Sequence, residues 1–286
     1  MHTKEYVSIL SPQNGMNLYR GCTHGCIYCD SRSLCYQMNH DFEDIEVKIN
    51  AIELLESQLR RKRKKAMISS GSMCDPYMPI EETWNLTRKS LELIEKYGFG
   101  ATLITKSARV MRDFELIQRI HAKTKFVLQM TLTTYDEDLC KIVEPRVSTT
   151  QERVEVLKRF RDAGIPTVVW FSPILPWIND TEENIRGILN LCLEAGVKGI
   201  LYFGAGLTLR DGDREYYYEQ LDRHFPGLKQ RYEKMYGNDY ILPSPNSASL
   251  DQIVTTFCQE HGIMIHPDEV FSYLKTFEDK MQLTLF

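Results

Sequence analysis

The feature that most constrains the fold is an alternation of two kinds of segment that begins at Met16. Short runs rich in β-branched residues are followed by longer charged segments in which apolar residues recur every three or four positions. This pattern is typical of parallel strands joined by crossover helices. Six such units without a detectable sequence repeat predict an α/β fold, a partial (βα)6 TIM-type barrel, with a helical C-terminal extension.

Glycine, proline and helix-capping residues indicate where the predicted helices and strands begin and end. Strands are expected at residues 16–19, 66–70, 101–105, 126–131, 167–171 and 199–203. Helices are expected at 45–65, 83–97, 110–122, 149–163 and 179–195, with Thr181 as the N-cap of the last one. Beyond Gly204 the chain becomes charged and rich in tyrosine, so we predict a barrel domain at 1–204 and a helical extension at 205–286.

Composition and charge exclude several classes of protein. With 43% hydrophobic and 26% charged residues, the chain can bury a full core and is not disordered. A formal charge of -4 provides no global field that attracts nucleic acid, so such binding would need a local patch. The first residues lack the apolar core of a signal peptide, and no stretch approaches about 18 apolar residues. We therefore expect a soluble cytoplasmic protein that does not bind membranes.

Three of the eight cysteines lie close together, at Cys22, Cys26 and Cys29. Intervals of four and three residues allow one loop to fold three thiolates around a single centre, and Gly21 and Gly25 permit the dihedral angles that a tight loop requires. A cubane iron–sulfur cluster is usually held by four cysteines. Three thiolates therefore favour a cluster with one open iron, at which a substrate or cofactor binds.

Two other interpretations of this loop compete with the cluster. A structural zinc ion would need four ligands, and His24 or Cys35 would have to supply the fourth, although the crowded spacing differs from the separated pairs of zinc sites. Alternatively the three cysteines are simply buried, which the polar residues Thr23, His24 and Asp30 beside them disfavour. The remaining cysteines lie in patterned segments, and we expect Cys35, Cys140, Cys192 and Cys258 to be structural.

The cysteine motif, with Tyr28 just before its third cysteine, resembles the signature of radical S-adenosylmethionine (SAM) enzymes. Further segments of the first 205 residues resemble the branch of that superfamily related to spore photoproduct lyase. They are Asn17-Leu-Tyr-Arg-Gly-Cys22, Cys29-Asp-Ser-Arg-Ser33, Asp75-Pro-Tyr-Met-Pro-Ile-Glu81, Thr105-Lys-Ser107, Glu144-Pro145 and Pro173-Ile-Leu-Pro176.

This resemblance implies an enzyme with two cofactors. A 4Fe-4S cluster on Cys22, Cys26 and Cys29 would bind S-adenosyl-L-methionine at its open iron, and an external donor such as flavodoxin or ferredoxin would supply an electron. Reductive cleavage would yield a 5′-deoxyadenosyl radical that abstracts hydrogen from an unknown substrate, with a DNA lesion as one candidate. A non-catalytic iron–sulfur carrier or sensor is the alternative function.

The same resemblance indicates cofactor-binding residues at the carboxyl ends of the predicted strands. The small residues Ser70, Gly71 and Ser72 would let the backbone approach the methionine moiety, or they form an ordinary turn. Lys106 would contact the cofactor carboxylate. Thr131, with Thr133 beyond it, would hydrogen-bond the cofactor, or serves as a good strand residue.

Two further side chains have a functional and a structural interpretation. Cys74 follows the second predicted strand, where lyase relatives carry a hydrogen-donating cysteine, but its neighbours differ from theirs; it is either a catalytic hydrogen donor or a small buried residue. Glu144 is predicted to have a functional role, to be a solvated carboxylate, or to pair with Arg153.

Two charged or apolar segments suggest partners. Six consecutive cations at residues 60–65 are expected to be a solvated helix end on the far face of the barrel, although such runs also bind nucleic acid. The final residues, Gln282-Leu-Thr-Leu-Phe286, resemble the peptide by which bacterial DNA-repair proteins bind the sliding clamp, and a docked strand is the alternative. A clamp-associated accessory protein of DNA repair is thus a third function, with DNA and the clamp as partners.

Overall fold

The computed structural model describes residues 1–280. Its strands are β1 (His2–Lys4), β2 (Gly15–Met16), β3 (Tyr19–Arg20), β4 (Glu46–Lys48), β5 (Met67–Ser70), β6 (Gly100–Thr105), β7 (Phe126–Thr131), β8 (Thr167–Trp170), β9 (Gly199–Leu201), β10 (Gly206–Thr208) and β11 (Ile241–Pro243). Its helices are α1 (Ala51–Arg61), α2 (Glu81–Trp84), α3 (Leu86–Lys96), α4 (Phe114–Lys123), α5 (Glu137–Val143), α6 (Thr150–Asp162), α7 (Glu182–Glu194), α8 (Asp213–His224), α9 (Leu228–Tyr236), α10 (Ser247–Glu260) and α11 (Pro267–Lys275). Short 3-10 helices lie at Asp30–Arg32, Leu34–Tyr36 and Ala108–Asp113.

Six parallel strands form the main sheet, in the order β2-β5-β6-β7-β8-β9. Every residue of β7, at its centre, is buried, which explains its nearly continuous apolar sequence. In the described part of the chain, β2 and β9 are the two edges of this sheet, so the barrel is open. The prediction of an α/β partial barrel of six strands is confirmed. All six carboxyl ends point to one edge, where catalytic residues of such barrels gather.

The structure differs from the prediction at the first strand and the first helix. The strand predicted at 16–19 is divided, because Met16 pairs with β5 whereas Tyr19 pairs with β4 in a second sheet of order β1-β4-β3. The helix predicted from residue 45 begins only at Ala51, since Glu46–Lys48 is strand β4. Strand β4 pairs with β1 on one side and with β3 on the other, and both partners are far away in sequence. Local periodicity therefore does not reveal that residues 46–48 form a strand.

The other predicted helices need smaller corrections. The helix predicted at 83–97 is interrupted at Asn85, which has a φ of 58° and separates α2 from α3. The helix predicted at 110–122 starts as the 3-10 helix Ala108–Asp113 before α4. Thr149 and Thr181 cap α6 and α7 through their side chains, which confirms Thr181 as an N-cap.

The cationic run at residues 60–65 covers the end of α1 and the connection to β5. All six residues except Lys62 are exposed. Because they precede β5, they lie at the amino ends of the parallel strands, away from the edge where the cysteines are found. This placement agrees with a solvated helix end and not with a surface at the candidate site.

The C-terminal segment is helical apart from the antiparallel pair β10–β11. Helix α10 packs on α7, and Leu250 and Val254 join the main core. The Asp251 carboxylate also accepts a hydrogen bond from the Ala205 amide. The division into domains at residue 204 stays a prediction, and the tail from Gln282 to Phe286 lies outside the described residues. Among residues 1–280, no helix combines the length and the hydropathy needed to cross a bilayer.

The cap of α6 gives a test of local stability. Thr149 accepts a hydrogen bond from the Glu152 amide, and the Glu152 carboxylate accepts one from the Thr149 amide. We expect Thr149→Ala to lower the free energy of unfolding by about 1 kcal/mol, because it leaves a helix donor without a partner. Anaerobic urea unfolding followed by circular dichroism measures this. Thr256→Ala, in the exposed interior of α10, is the control and should be neutral or slightly stabilising.

Candidate active site

The loop that carries the three cysteines is held by backbone contacts to two distant segments. The Cys22 amide donates to the Phe42 carbonyl at 3.0 Å, and the Ile27 amide donates to the Val143 carbonyl at 3.0 Å. Gly21 has a φ of +87°, and a Cβ there would lie 2.4 Å from the Phe42 oxygen. A side chain at residue 21 is therefore excluded by both backbone conformation and space.

All three cysteines line one cavity at the carboxyl ends of β5 and β6. Cys22 and Cys26 are buried, Cys29 is partly buried, and none of them forms a disulfide. Burial raises the pKa of the Cys26 thiol to about 12, and it raises that of Cys22 as well. A metal centre supplies the positive charge that such buried thiols need in order to ionise.

The spacing of the sulfur atoms distinguishes between a cluster and a zinc ion. Within residues 1–280, the three cysteines do not form a set whose ligand atoms all lie within 4.8 Å of one another. A single zinc ion, with Zn–S bonds of about 2.3 Å, would draw three sulfurs to roughly 3.8 Å separations. A cubane allows wider spacing because each thiolate binds a different iron. The three thiols therefore fit a cluster better than a single ion.

Both residues proposed as a fourth ligand for zinc lie against charged groups. The His24 ring is buried, with Nδ1 donating to the Arg146 carbonyl at 3.0 Å and Nε2 lying 3.1 Å from the Asp75 carboxylate. Cys35 is exposed, lies outside the cavity and contacts the Arg210 guanidinium at 3.1 Å. The structure thus gives no support to the zinc interpretation.

Asp75 connects the cysteine loop to two strand ends, and sequence reasoning assigned it no role. Its carboxylate accepts hydrogen bonds from the Tyr77 amide at 2.8 Å, the Thr105 hydroxyl at 2.7 Å and the Lys106 amide at 2.7 Å. Burial alone would raise its pKa, but the His24 imidazole and these donors outweigh burial and lower it to about 2. Asp75 lies in the loop between β5 and α2, and no local pattern distinguishes it from a carboxylate in an ordinary turn.

The predicted cofactor-binding residues separate into two groups. Gly71, Ser72 and Lys106 line the cavity of the cysteines. Gly71 has a φ of +99°, and a Cβ there would lie 2.1 Å from the Ile104 carbonyl oxygen. Ser70 and Thr131 are not among the residues that line this cavity: Ser70 borders a small gap against α3, and the Thr131 carbonyl accepts a bond from Arg153. The roles of all five residues stay predictions.

Lys106 is fixed by its backbone and directs a cation towards the cysteines. Its amide donates to Asp75, and its carbonyl accepts from the Ser148 amide at 3.2 Å. Burial alone would lower the pKa of Lys106, but the electrostatic influence of the nearby Cys26 and Glu144 outweighs burial and raises it. The ammonium lies 5.8 Å from the centre of the Tyr28 ring. A permanent positive charge therefore faces this cavity.

Glu144 pairs with Arg153 in the interior, so the interpretation as a solvated carboxylate is wrong. Both side chains have no exposed surface, and the Arg153 guanidinium donates to Glu144 at 2.6 Å. Arg153 also donates to the Thr131 carbonyl at 2.7 Å, while the Tyr28 hydroxyl donates to Glu144. This network connects α6, the end of β7 and the residue between the second and third cysteines.

Cys74 lines the cavity as well, but its thiol already has a partner. The Cys74 thiol is buried and donates to the Tyr19 carbonyl at 3.1 Å. Burial raises its pKa to about 12, so it is a neutral thiol. A neutral S–H group beside the cavity is compatible with hydrogen donation and equally with packing, and its role stays a prediction.

A second, larger cavity of about 770 Å³ adjoins the first. Its wall includes the aromatic rings of Tyr28, Trp170, Phe203 and Tyr240, and it reaches α10 at Asp251. Cys29 and Lys106 line both cavities. The loops after β8 and β9 and the β10–β11 pair therefore enclose a space that opens directly beside the cysteines. Its size is that of ordinary ligand pockets.

This combination of a six-stranded parallel barrel and a three-cysteine loop at its carboxyl edge defines a superfamily. The model of the radical SAM superfamily matches residues 16–192, and the chain belongs to it. The predicted cofactors, a 4Fe-4S cluster and S-adenosyl-L-methionine, are those of the superfamily.

Several individual proteins are similar to this chain. An uncharacterized protein of Mycobacterium bovis is 30% identical over 234 residues, which cover 80% of this chain and 68% of the relative. An uncharacterized protein of Methanocaldococcus jannaschii is 30% identical over 167 residues, or 58% of this chain and 62% of the relative. A mutant of spore photoproduct lyase, solved with bound AdoMet and dinucleoside spore photoproduct, has a TM-score of 0.62 at 16% identity, covering 87% of this chain and 74% of that chain. The last similarity shows the shared fold.

The buried ion pair predicts a large cost when one partner is removed. We expect Glu144→Gln to lower the free energy of unfolding by about 3–5 kcal/mol, because the Arg153 charge is then buried without a counter-ion. Anaerobic urea unfolding measures the loss. Glu182→Gln breaks an exposed pair with Arg186 by the same substitution and should change stability little. Equal losses of stability in the two variants would contradict the conclusion that the Glu144–Arg153 pair is buried from solvent.

Proposed function

We propose that this chain is a radical SAM enzyme in which Cys22, Cys26 and Cys29 hold the cluster and the larger cavity holds the substrate. When bound, the two cofactors supply reductive cleavage of the sulfonium and a 5′-deoxyadenosyl radical that abstracts hydrogen. One observation carries the proposal. Cys29 and Lys106 line both cavities, so a substrate in the larger cavity lies directly beside the cysteine loop.

The chain itself contributes orientation and charge. Gly71 and Ser72 line the cavity with small residues, and residue 71 has to be glycine because a Cβ there would meet the Ile104 carbonyl. The Lys106 ammonium offers a charge-assisted hydrogen bond to the carboxylate of the methionine moiety. The contacts of Asp75 and Glu144 hold the strand ends and the cysteine loop in fixed positions, so that little reorganisation accompanies cofactor binding.

The walls of the larger cavity support a substrate with a flat ring. Trp170, Phe203 and Tyr240 line this cavity, and stacking of a nucleobase on an aromatic side chain contributes about 1–3 kcal/mol per base. The similar lyase structure contains a dinucleoside photoproduct. A modified nucleobase, as in a DNA lesion, is therefore the substrate class that we propose, with a reduced flavodoxin or ferredoxin as electron donor. Attachment to a sliding clamp through Gln282-Leu-Thr-Leu-Phe286 remains part of the same proposal.

Removal of one proposed cluster ligand tests the function. We expect anaerobically reconstituted wild type to convert S-adenosylmethionine to 5′-deoxyadenosine with dithionite, and its reduced-cluster EPR signal to change when S-adenosylmethionine is added. Cys26→Ala should lose both, since it lacks one thiolate ligand. Cys35→Ala removes an exposed thiol outside the cavity and should retain both.

The alternative of a non-catalytic carrier or sensor predicts a different result. Such a protein would show a cluster in iron and sulfide analysis, but neither cleavage of S-adenosylmethionine nor an EPR change on its addition. A clamp-associated accessory protein would bind the clamp equally well with Cys26→Ala and lose binding on deletion of residues 282–286. Absence of S-adenosylmethionine cleavage in the reconstituted wild type would overturn the enzymatic proposal, in favour of the accessory protein if the clamp is bound and of the carrier or sensor if it is not.

Lys106 gives a second test, specific to cofactor binding. We expect Lys106→Met to weaken S-adenosylmethionine binding by about 10–100-fold, because a hydrogen bond to a charged group contributes roughly 1.5–3 kcal/mol. Titration of the EPR change against S-adenosylmethionine concentration gives the affinity. Lys64→Met, on the exposed connection before β5, should bind as the wild type does. An unchanged affinity in Lys106→Met would remove this residue from the site.

A further inference from the structure

A second cluster of potential metal ligands lies outside the candidate active site. His2, His40 and Asp44 each offer one ligand atom, and these three atoms lie within 4.8 Å of one another. The imidazole rings of His2 and His40 are 4.6 Å apart, edge to face. All three residues are partly buried. Within residues 1–280, no other set of three histidine, cysteine or acidic residues meets the same criterion.

Backbone pairing brings these residues together from separate parts of the chain. Strand β1 runs parallel to β4, with His2 opposite Glu46, so the first strand places an imidazole beside residues 44–46. The His2 amide also donates to the Ile45 carbonyl at 3.0 Å. The position of His2 therefore follows from sheet formation and does not depend on the side-chain contacts themselves.

The protonation pattern of His40 is that of a metal ligand. Its Nδ1 lies 3.0 Å from the Asp41 carbonyl oxygen, and a carbonyl only accepts, so Nδ1 carries the proton. In the neutral ring, Nε2 then presents a lone pair. This Nε2 atom is buried and has no hydrogen-bond partner. A buried acceptor without a hydrogen-bond partner, beside an imidazole and a carboxylate, is a position that a metal ion can fill.

His2 has the complementary arrangement. Its Nδ1 lies 2.9 Å from the Asp44 carboxylate, and its Nε2 lies 3.3 Å from the Glu46 carboxylate. Glu46 is buried and also accepts from the Tyr6 hydroxyl. A carboxylate that holds one ring nitrogen while the other binds the ion is the usual support of a metal-bound histidine. Lys4 lies 3.6 Å from Glu46 and offsets part of this negative charge.

We propose that His2 Nδ1, His40 Nε2 and the Asp44 carboxylate bind a zinc ion. Two imidazoles and one carboxylate are a donor set that zinc accepts, with a fourth position left for water. Tetrahedral bonds of 2.0–2.2 Å hold neighbouring ligand atoms about 3.4 Å apart, so the ligand atoms, which lie within 4.8 Å of one another, would move closer together on binding. The Met1 amine pairs with the other oxygen of Asp44 and is not part of the site.

The zinc ion would support the cysteine loop through the segment that contains Phe42. His40 and Asp44 flank Phe42, whose carbonyl accepts the Cys22 amide and faces Gly21. A metal that joins His2 to both flanking residues fixes this segment against β1. Zinc binding would therefore stabilise the loop that carries the first of the three cysteines.

Zinc binding by the cluster-loaded protein tests the proposal. The full chain, without an N-terminal tag, is reconstituted anaerobically, stripped with a chelating resin and titrated with ZnCl₂ against a chromophoric chelator. We expect one zinc per chain at unchanged iron content, and a higher Tm in its presence. His40→Gln and Asp44→Asn should each weaken binding at least 100-fold, and Glu46→Gln by about 10–100-fold. The exposed His224→Gln is the matched control and should bind normally.

Several outcomes would overturn the zinc site. If the wild type binds no zinc, the proposal is wrong. If His40→Gln and Asp44→Asn both retain zinc binding, the proposal is also wrong. Cobalt(II) locates the ligands independently. We expect a visible spectrum without a thiolate charge-transfer band, whereas such a band would place the ion on cysteines. None of these readouts requires cleavage of S-adenosylmethionine, so they are separate from the test of the proposed enzyme.

Discussion

The arrangement of the candidate site depends on the hydrogen bonds of one buried carboxylate. Asp75 lies in the loop after β5, accepts hydrogen bonds from two groups at the end of β6 and faces the His24 ring in the cysteine loop. A carboxylate with several donors remains ionised in a buried position, and the donors here come from the end of β6 and from the loop of Asp75 itself. The cavity of the cysteines exists because these segments converge on one acceptor.

A second buried network acts on the other side of the cysteine loop. Arg153 connects the Thr131 carbonyl, at the end of β7, to Glu144, and Glu144 accepts from Tyr28. Buried ion pairs add little net stability compared with apolar packing, but they allow few alternative arrangements. Together, Asp75 and Glu144 fix the loop from two directions. Lys106 lies between them with both its amide and its carbonyl engaged.

Structural features that depend on a local sequence pattern were predicted correctly, whereas features that depend on pairing between distant segments were not. The six strands were recognisable because β7 and its neighbours are short apolar runs between amphipathic helices. Residues 46–48 were assigned to a helix because their strand partners are not adjacent in sequence. The cysteine spacing predicted that the three thiols lie together, and all three line one cavity. Asp75 was missed because nothing local distinguishes a carboxylate that collects four partners from one in an ordinary turn.

Long sequence separations within the site have a consequence for biosynthesis. His24 contacts a carbonyl 122 residues further along the chain, and Tyr28 contacts a carboxylate 116 residues further along. On the ribosome the cysteine loop emerges early, but the groups that order it are synthesised more than a hundred residues later. The loop with its three thiols therefore lacks these ordering contacts during much of translation. Assembly of the metal centre is thereby deferred to a stage at which most of the barrel has been made.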